Sequence, residues 1–329
     1  MAPSRRFLLF FLVSVSIAAF LVRAQDPSPS QDAVRLLEQA HRVSLLENAP
    51  NYELNITFRT MDASQPSQVG TIRRVVIHGV GRRDEFAFGD FHVINVWTSR
   101  GIASTRKFGG NIRPPELDLA LRYTPMYLVT FDKEDTVHEI VDRLIEGKRR
   151  RCIEFETVVG PKRDQNELCV DPDNGTLVTE KLGQDLIENG DFFTFAGAFI
   201  PGRVVYSFKG EPKLEMIQTM AISTESPAEV MTPPKDAQDH PFCKTSRRVL
   251  IETSPMPPKG AGAGNVDAIV RGVVEADGRI HRAVIDRSER PDLNAEALDT
   301  VAQWTFTPAL CDGNPNPTMI SVVVHFFGR

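Results

Sequence analysis

VDAIVRGVV (266–274), EADGR (275–279) and IHRAVIDRS (280–288) read as two strands joined by a tight turn. Ile269, Gly272 and Val274 belong to an apolar run with polar interruptions. The run ends at Asp277-Gly278, two residue types that tolerate positive φ and so favour a hairpin. On the return strand Ile280, Arg282 and Val284 alternate with His281, Ala283 and Ile285. Pro291 then precedes Leu293, Ala297, Leu298 and Val301 at helical spacing, with Asp292 placed to cap the helix. Trp304 and Phe306 alternate with Thr305 and Thr307, which turns both aromatics toward one small core, and Pro308 ends the stretch. Met319 to Phe327 is β-branched and aromatic with no breaker before Gly328. The element order is strand, strand, helix, strand.

Upstream, residues 224–264 carry Pro227, Pro233-Pro234, Pro241, Pro255 and Pro257-Pro258, followed by Gly260-Ala261-Gly262-Ala263-Gly264. Proline stiffens and glycine loosens, so this stretch reads as a linker that is first extended and then flexible, with one short strand at Val249-Leu250-Ile251. Before it, Ala33, Leu36, Leu37, Ala40 and Val43 form a helical stripe. Tyr52, Leu54, Ile56 and Phe58 then alternate with polar residues, as expected of a half-buried strand. Further strand-like runs at 71–77, 83–88, 92–98, 102–107, 152–158, 168–170, 176–181, 204–208 and 214–223 are separated by turn signals such as Gly89-Asp90 and Asn174-Gly175. The pattern is one helix followed by a long antiparallel meander.

The chain has 329 residues, enough for two domains, and a formal charge of −5, which argues against a nucleic-acid surface. Arg149-Arg150-Arg151 is a short basic run in a strand-like region and reads as a solvated stretch. Arg5 and Arg6, the apolar run from Phe7 to Val22, and the small residues before Gln25 have the layout of a secretory signal. Export to the periplasm is the expectation. The alternative is an uncleaved segment that anchors the protein in the inner membrane. Four cysteines fit an oxidising compartment. Cys152 and Cys169 lie on opposite arms of an expected hairpin, where a disulfide would contribute roughly 3 kcal/mol. Cys243 and Cys311 pair by elimination.

Asp277-Gly278, Ser288, Leu293, Ala297 and the block from Trp304 to Ala309 resemble the C-terminal domain of TonB-family proteins, over about residues 245–329. The resemblance implies a domain that does no chemistry. Such domains offer the edge of the last strand to an extended segment of another envelope protein, here from Met319, Ile320, Ser321, Val322, Val323, Val324, His325, Phe326 and Phe327. That would place the protein in TonB-type transport. Pairing of this edge with a second copy (a homodimer), or folding back near Val249, are the alternatives. The chain departs from the energy-transducing members: the apolar N-terminal segment leads almost directly into a globular region, and it has no histidine. Pro255-Met256-Pro257-Pro258 stands in place of the usual Gln-Tyr-Pro block, which puts proton-motive coupling in doubt. The helix-then-meander region resembles the LolA/LolB lipoprotein carriers. That resemblance implies a hydrophobic cavity for a lipid or acyl chain, with Phe86, Phe88, Phe91 and Trp97 as lining residues; the competing reading makes them ordinary core aromatics.

Motifs for catalysis are missing. The seven histidines are scattered, no HExxH, GxSxG or Walker sequence occurs, and Gly79-Val80-Gly81 lacks the context of a dinucleotide loop. No short CxxC spacing suggests a metal. The expected class is α+β. A signal peptide at 1–24 precedes a LolA/LolB-like curved antiparallel half-barrel with a helix at 25–229. A linker at 230–264 then leads to a small ββαβ TonB-like domain at 265–329. The expected function is non-enzymatic binding of a partner by strand addition, with lipid or lipoprotein carriage as the alternative, and no cofactor, metal or nucleic acid.

Overall fold

Every second residue of the first strand, Tyr52, Leu54, Ile56 and Phe58, is buried, and this alternation sets the inner face of a large curved antiparallel sheet. The computed structural model describes residues 29–46, 48–62, 66–106, 112–124, 131, 135–159, 162–257 and 266–327. The expected signal peptide lies outside them. No described helix is long and apolar enough to cross a membrane.

Helix α1 (Pro29–Ser44) leads into β1 (Tyr52–Thr60), β2 (Val69–Ile77), β3 (Gly81–Phe88), β4 (Phe91–Thr98) and β5 (Gly101–Ser104). Helix α2 (Pro115–Arg122) follows. Next come β6 (Thr136–Ile145), β7 (Lys148–Val159), β8 (Lys162–Val170), β9 (Leu177–Leu182), β10 (Asp185–Gly190), β11 (Phe193–Phe195), β12 (Ala198–Ile200), β13 (Arg203–Phe208) and β14 (Glu211–Ile222). Helix α3 (Pro227–Met231) precedes β15 (Gln238–Pro241), β16 (Ser246–Arg247) and β17 (Leu250–Thr253). The C-terminal part holds β18 (Val266–Val274), β19 (Ile280–Ser288), a 3-10 turn (Pro291–Leu293) and α4 (Asn294–Ala302). It ends with β20 (Thr305–Thr307), β21 (Leu310–Cys311), β22 (Asn314–Pro315) and β23 (Thr318–Phe326).

Among the described residues the large sheet has thirteen strands in the order β15-β5-β4-β3-β2-β1-β14-β13-β10-β9-β8-β7-β6, and its two end strands do not meet. Helix α2 puts Leu117 and Ala120 into the inner-face core with Ile72, Phe86, Phe88, Leu214 and Met216. Helix α1 covers Ile153, Phe155 and Leu168 through Ala33 and Leu37. Both helices bury an apolar stripe that the sheet would otherwise expose to water. Strand β6, α2 and α3 are absent from the sequence reading: Leu117, Leu119 and Leu121 of α2 alternate as in a strand, and Val137, Ile140, Val141 and Leu144 of β6 recur at helical spacing. Pro115 at the first turn of α2, and the Ser226-Glu229 capping box of α3, are nonetheless the signals that such helices carry.

The 230–257 part of the expected linker is extended but not free. β15 pairs with β5 and becomes the edge of the large sheet, β16 pairs with β21, and β17 pairs with β20. Extended, proline-bearing chain is what a sheet edge accepts, since an edge strand needs donors on one side only. Both disulfides form, Cys152–Cys169 across β7 and β8 and Cys243–Cys311 from the 230–257 segment to β21.

In the C-terminal sheet the order is β19-β18-β23, with α4 against one face. Gly278, at φ +71°, closes the hairpin as expected. Gly272 is required by close packing: a Cβ there would lie 2.4 Å from the Ile280 side chain. Two sequence expectations fail here. Asp292 does not cap the helix; it bonds Arg290 at 2.6 and 2.8 Å, and α4 starts after the 3-10 turn. Nor does β19 alternate evenly. Its register against β18 shifts between Arg271 and Val273, and Arg282 takes φ +52°. This bulge moves Ala283 and Ile285, rather than Arg282 and Val284, onto the core side with Ile280.

Candidate binding site between the curved sheet and the C-terminal domain

Strand β23 pairs along its whole length with β18, from Thr318 opposite Val274 to Phe326 opposite Val266. Val322, Val324 and Phe326 point into the core against α4, while Ser321, Val323 and His325 lie on the opposite face. No other described strand pairs with β23, so its second edge keeps backbone donors and acceptors without ladder partners among the described residues. The fold-back alternative is not what the chain adopts, because β17 pairs with β20 instead.

The face of the C-terminal sheet opposite α4 lies against the inner face of the large sheet. Among the described residues, cavities of about 250, 560 and 490 Å³ remain between them. The first, of about 250 Å³, is walled by Phe86, Phe91, Val93, Trp97 and Ile102 from the large sheet, with His240 on β15, and is closed by Val273, Pro317 and Met319 of the C-terminal domain. Three of the four aromatics singled out from the sequence therefore line it. The fourth, Phe88, lines the cavity of about 490 Å³ instead and stacks on Phe58 with ring centroids 5.3 Å apart; Phe86 and Phe91 belong to the same buried core cluster as Phe88. Trp97 is pinned from beside the cavity. Asp84, almost fully buried, accepts from Arg74 at 2.6 Å and Arg82 at 3.1 Å, and the Arg82 guanidinium sits 4.3 Å from the centre of the Trp97 ring.

The polar part of this cavity comes from Arg106, Arg113, His240 and the Asn95–Ser104 pair, bonded at 2.6 Å. No Asp or Glu lines it among the described residues. Arg113 is held at 2.6 Å by Asp118 on α2. Arg106 has no carboxylate partner among the described residues; burial first, then the positive charges of Arg113 and Arg282, lower its pKa. Burial likewise lowers the pKa of His240, favouring the neutral ring.

The second cavity, about 560 Å³, is lined among others by Leu119, Tyr206, Phe208, Ile269, Arg271, Arg287, Ser321 and Val323. Its buried charges tie the domains together. Arg271 on β18 is 2% exposed and pairs with Asp118 at 3.0 Å and with Asp286 on β19. Arg287 binds both oxygens of Asp185 on β10, at 2.7 and 2.6 Å, and Tyr206 donates to the same carboxylate at 2.6 Å. Burial, then Asp185, push the Tyr206 hydroxyl pKa up. Burial raises the Asp286 carboxyl, with Arg271 as the chief opposing charge.

Other clusters offer less. Arg150 is buried against Asp171 at 2.6 Å and Arg149 pairs with Asp142 at 2.5 Å, so the basic run is largely answered within the chain. Cys152, Glu167 and Cys169 lie within metal-ligand distance of one another, but both thiols are spent in the disulfide. Arg106, Arg113, His240 and Arg271 were not recognisable from the sequence. Each is a lone polar residue without motif context, brought to the site by long-range packing.

Residues 264–327 match the family described as Gram-negative bacterial TonB protein C-terminal, on the stretch that carried that resemblance in the sequence. Similar solved structures include a LolA superfamily protein from Nitrosomonas europaea (10% identity, 60% of this chain and 96% of that one, TM-score 0.39). A DUF1329 family protein from Desulfovibrio piger is also similar (6% identity, 63% and 98%, TM-score 0.42). So is the MucA/MucB complex of Pseudomonas aeruginosa (13% identity, 84% and 99%, TM-score 0.30). No curated protein sequence matches the chain.

Proposed function

We propose that this chain is a non-enzymatic binding protein of the bacterial envelope, exported by its 1–24 segment, whose TonB-type domain takes up an extended segment of a partner protein on β23. The observation that carries the reading is the second edge of β23, nine residues long and without a strand neighbour among the described residues. Strand addition draws its affinity from main-chain hydrogen bonds and its choice of partner from alternate side chains. The domain division at 25–229, 230–264 and 265–329 belongs to this reading.

A proline scan through Ser321, Val322, Val323 and Val324 tests it. Consecutive residues of an edge strand direct their N–H groups alternately inward, to the β18 ladder, and outward. Prolines at the outward positions should abolish capture of envelope partners while the domain keeps its melting transition, and those at inward positions should unfold it. Capture of the same partners by all the folded variants would refute strand addition.

A second reading, carriage of a small apolar ligand, is favoured by the cavity of about 250 Å³ whose walls are mostly aromatic and aliphatic.

A further inference from the structure

Arg106 is the guanidinium of the interdomain cavity with no carboxylate bonded to it among the described residues. It is half-buried beside Arg113, and Arg282, itself paired with Glu275, adds like charge, opposed by Asp118. Asp118 is engaged by both Arg113 and Arg271. Among the described residues no carboxylate lines the cavity to balance the remaining positive charge. Charges withdrawn from water are ordinarily paired, because desolvation without a partner is costly. Arg113 also lies over the Phe86 ring, at 5.9 Å from its centre, which places a cation beside the apolar wall. The Trp97 indole N–H in the same wall is buried with no hydrogen-bond partner among the described residues.

Phe91, Val93, Ile102, Val273 and Met319 add apolar surface to the same cavity. The space therefore combines two guanidinium groups with mostly apolar walls. Its volume of about 250 Å³ corresponds to roughly eight water shares of about 30 Å³ each. A long acyl chain would extend beyond such a volume.

We propose that this cavity binds a small organic anion, a carboxylate or phosphate head on an apolar body of roughly eight to ten heavy atoms, with Arg106 and Arg113 holding the head. Arg113 is already oriented by Asp118, and Arg106 supplies the uncompensated charge. A planar guanidinium gives two parallel donors, which suits a carboxylate or a phosphate equally. Because Val273, Pro317 and Met319 form one wall, the site is complete only with the C-terminal domain docked.

The proposal rests on the carriage reading and adds the charge and size of the ligand. Isothermal titration of the full exported chain with octanoate, octyl phosphate, octanol and octylammonium tests it. Octanoate or octyl phosphate, or both, should bind at least tenfold more tightly than octanol, and octylammonium should not bind; which of the two anions is preferred identifies the head. Arg106→Gln should weaken anion binding at least tenfold. It should leave the Tm of the ligand-free protein unchanged or raised, since it removes a half-buried charge with no carboxylate bonded to it among the described residues. Met319→Trp, which fills the cavity from the C-terminal side without touching Arg106, should also weaken binding. Equal affinity for octanol and octanoate would overturn the anion site and leave apolar carriage standing. The absence of binding by all four ligands would overturn both. Arg106→Gln binding octanoate as tightly as the parent, or melting several degrees lower when empty, would overturn the role given to Arg106.

Discussion

Replacing Arg271 with Met tests the charged contact that joins the two domains. The methionine keeps most of the volume but removes the cation that serves Asp118 and Asp286. Breaking a buried pair by deleting one partner typically costs about 3–5 kcal/mol, because it leaves the other charge uncompensated. Asp118 retains Arg113 at 2.6 Å, so the loss falls mainly on Asp286, and the lower end, about 3 kcal/mol, is the expectation at pH 7.5. The pH dependence has a definite sign. Burial already raises the Asp286 pKa above 3.8, against the opposing charge of Arg271. A carboxyl raised in the folded state is stabilising below its unfolded pKa, and that contribution is lost as pH rises through the folded value. Without Arg271 the folded value moves higher. The penalty should therefore shrink at pH 4.5, where Asp286 takes a proton. Urea unfolding at the two pH values measures this, and Asp286→Leu added to Arg271→Met should recover most of the loss, since an apolar replacement removes the orphaned charge. A loss below about 1 kcal/mol at pH 7.5, or an equal loss at both pH values, would refute the reasoning.

Two other measurements follow from the buried groups. Glu180 is held by burial to a pKa of about 7, against an ordinary value of 4.5 and despite a bond from Asn189. The protein should accordingly lose roughly 3 kcal/mol as pH rises from 4.5 to 7, and Glu180→Gln should flatten that slope in thermal melts; parallel pH curves for the two proteins would contradict it. The Cys243–Cys311 disulfide spans 68 residues, so replacing both with Ser should lower stability by about 4 kcal/mol, read as a lower urea midpoint. Coincident unfolding curves for the parent and the double variant would show that packing alone secures the contact of the 230–257 segment with β21.

Local chemistry along the chain determined most of the elements. The alternation of Tyr52, Leu54, Ile56 and Phe58, the Asp277-Gly278 turn and the helical spacing from Leu293 to Val301 each specify their own conformation within a few residues. The Cys152–Cys169 bridge was readable for the same reason, since a hairpin puts its two arms in register. Elements whose apolar spacing suits another conformation, such as α2 and β6, escaped. The 3-10 turn displaced Asp292 from its capping position, and the bulge at Arg282 exchanged the two faces of β19, because backbone geometry there answers to the packing of β18 and α4.

What only the tertiary structure decided is where those elements meet. β1 lies beside β14, and β15 joins the sheet edge at β5, pairings across more than a hundred residues that no local pattern encodes. The docking of the C-terminal sheet on the inner face of the large sheet brings Arg271 to Asp118 and Arg287 to Asp185. It also closes Met319 and Val273 over Trp97 and Arg106. Periodicity tells a strand which of its faces is apolar. Which surface covers that face, and which charges it must answer, depends on contacts formed only when distant segments fold together.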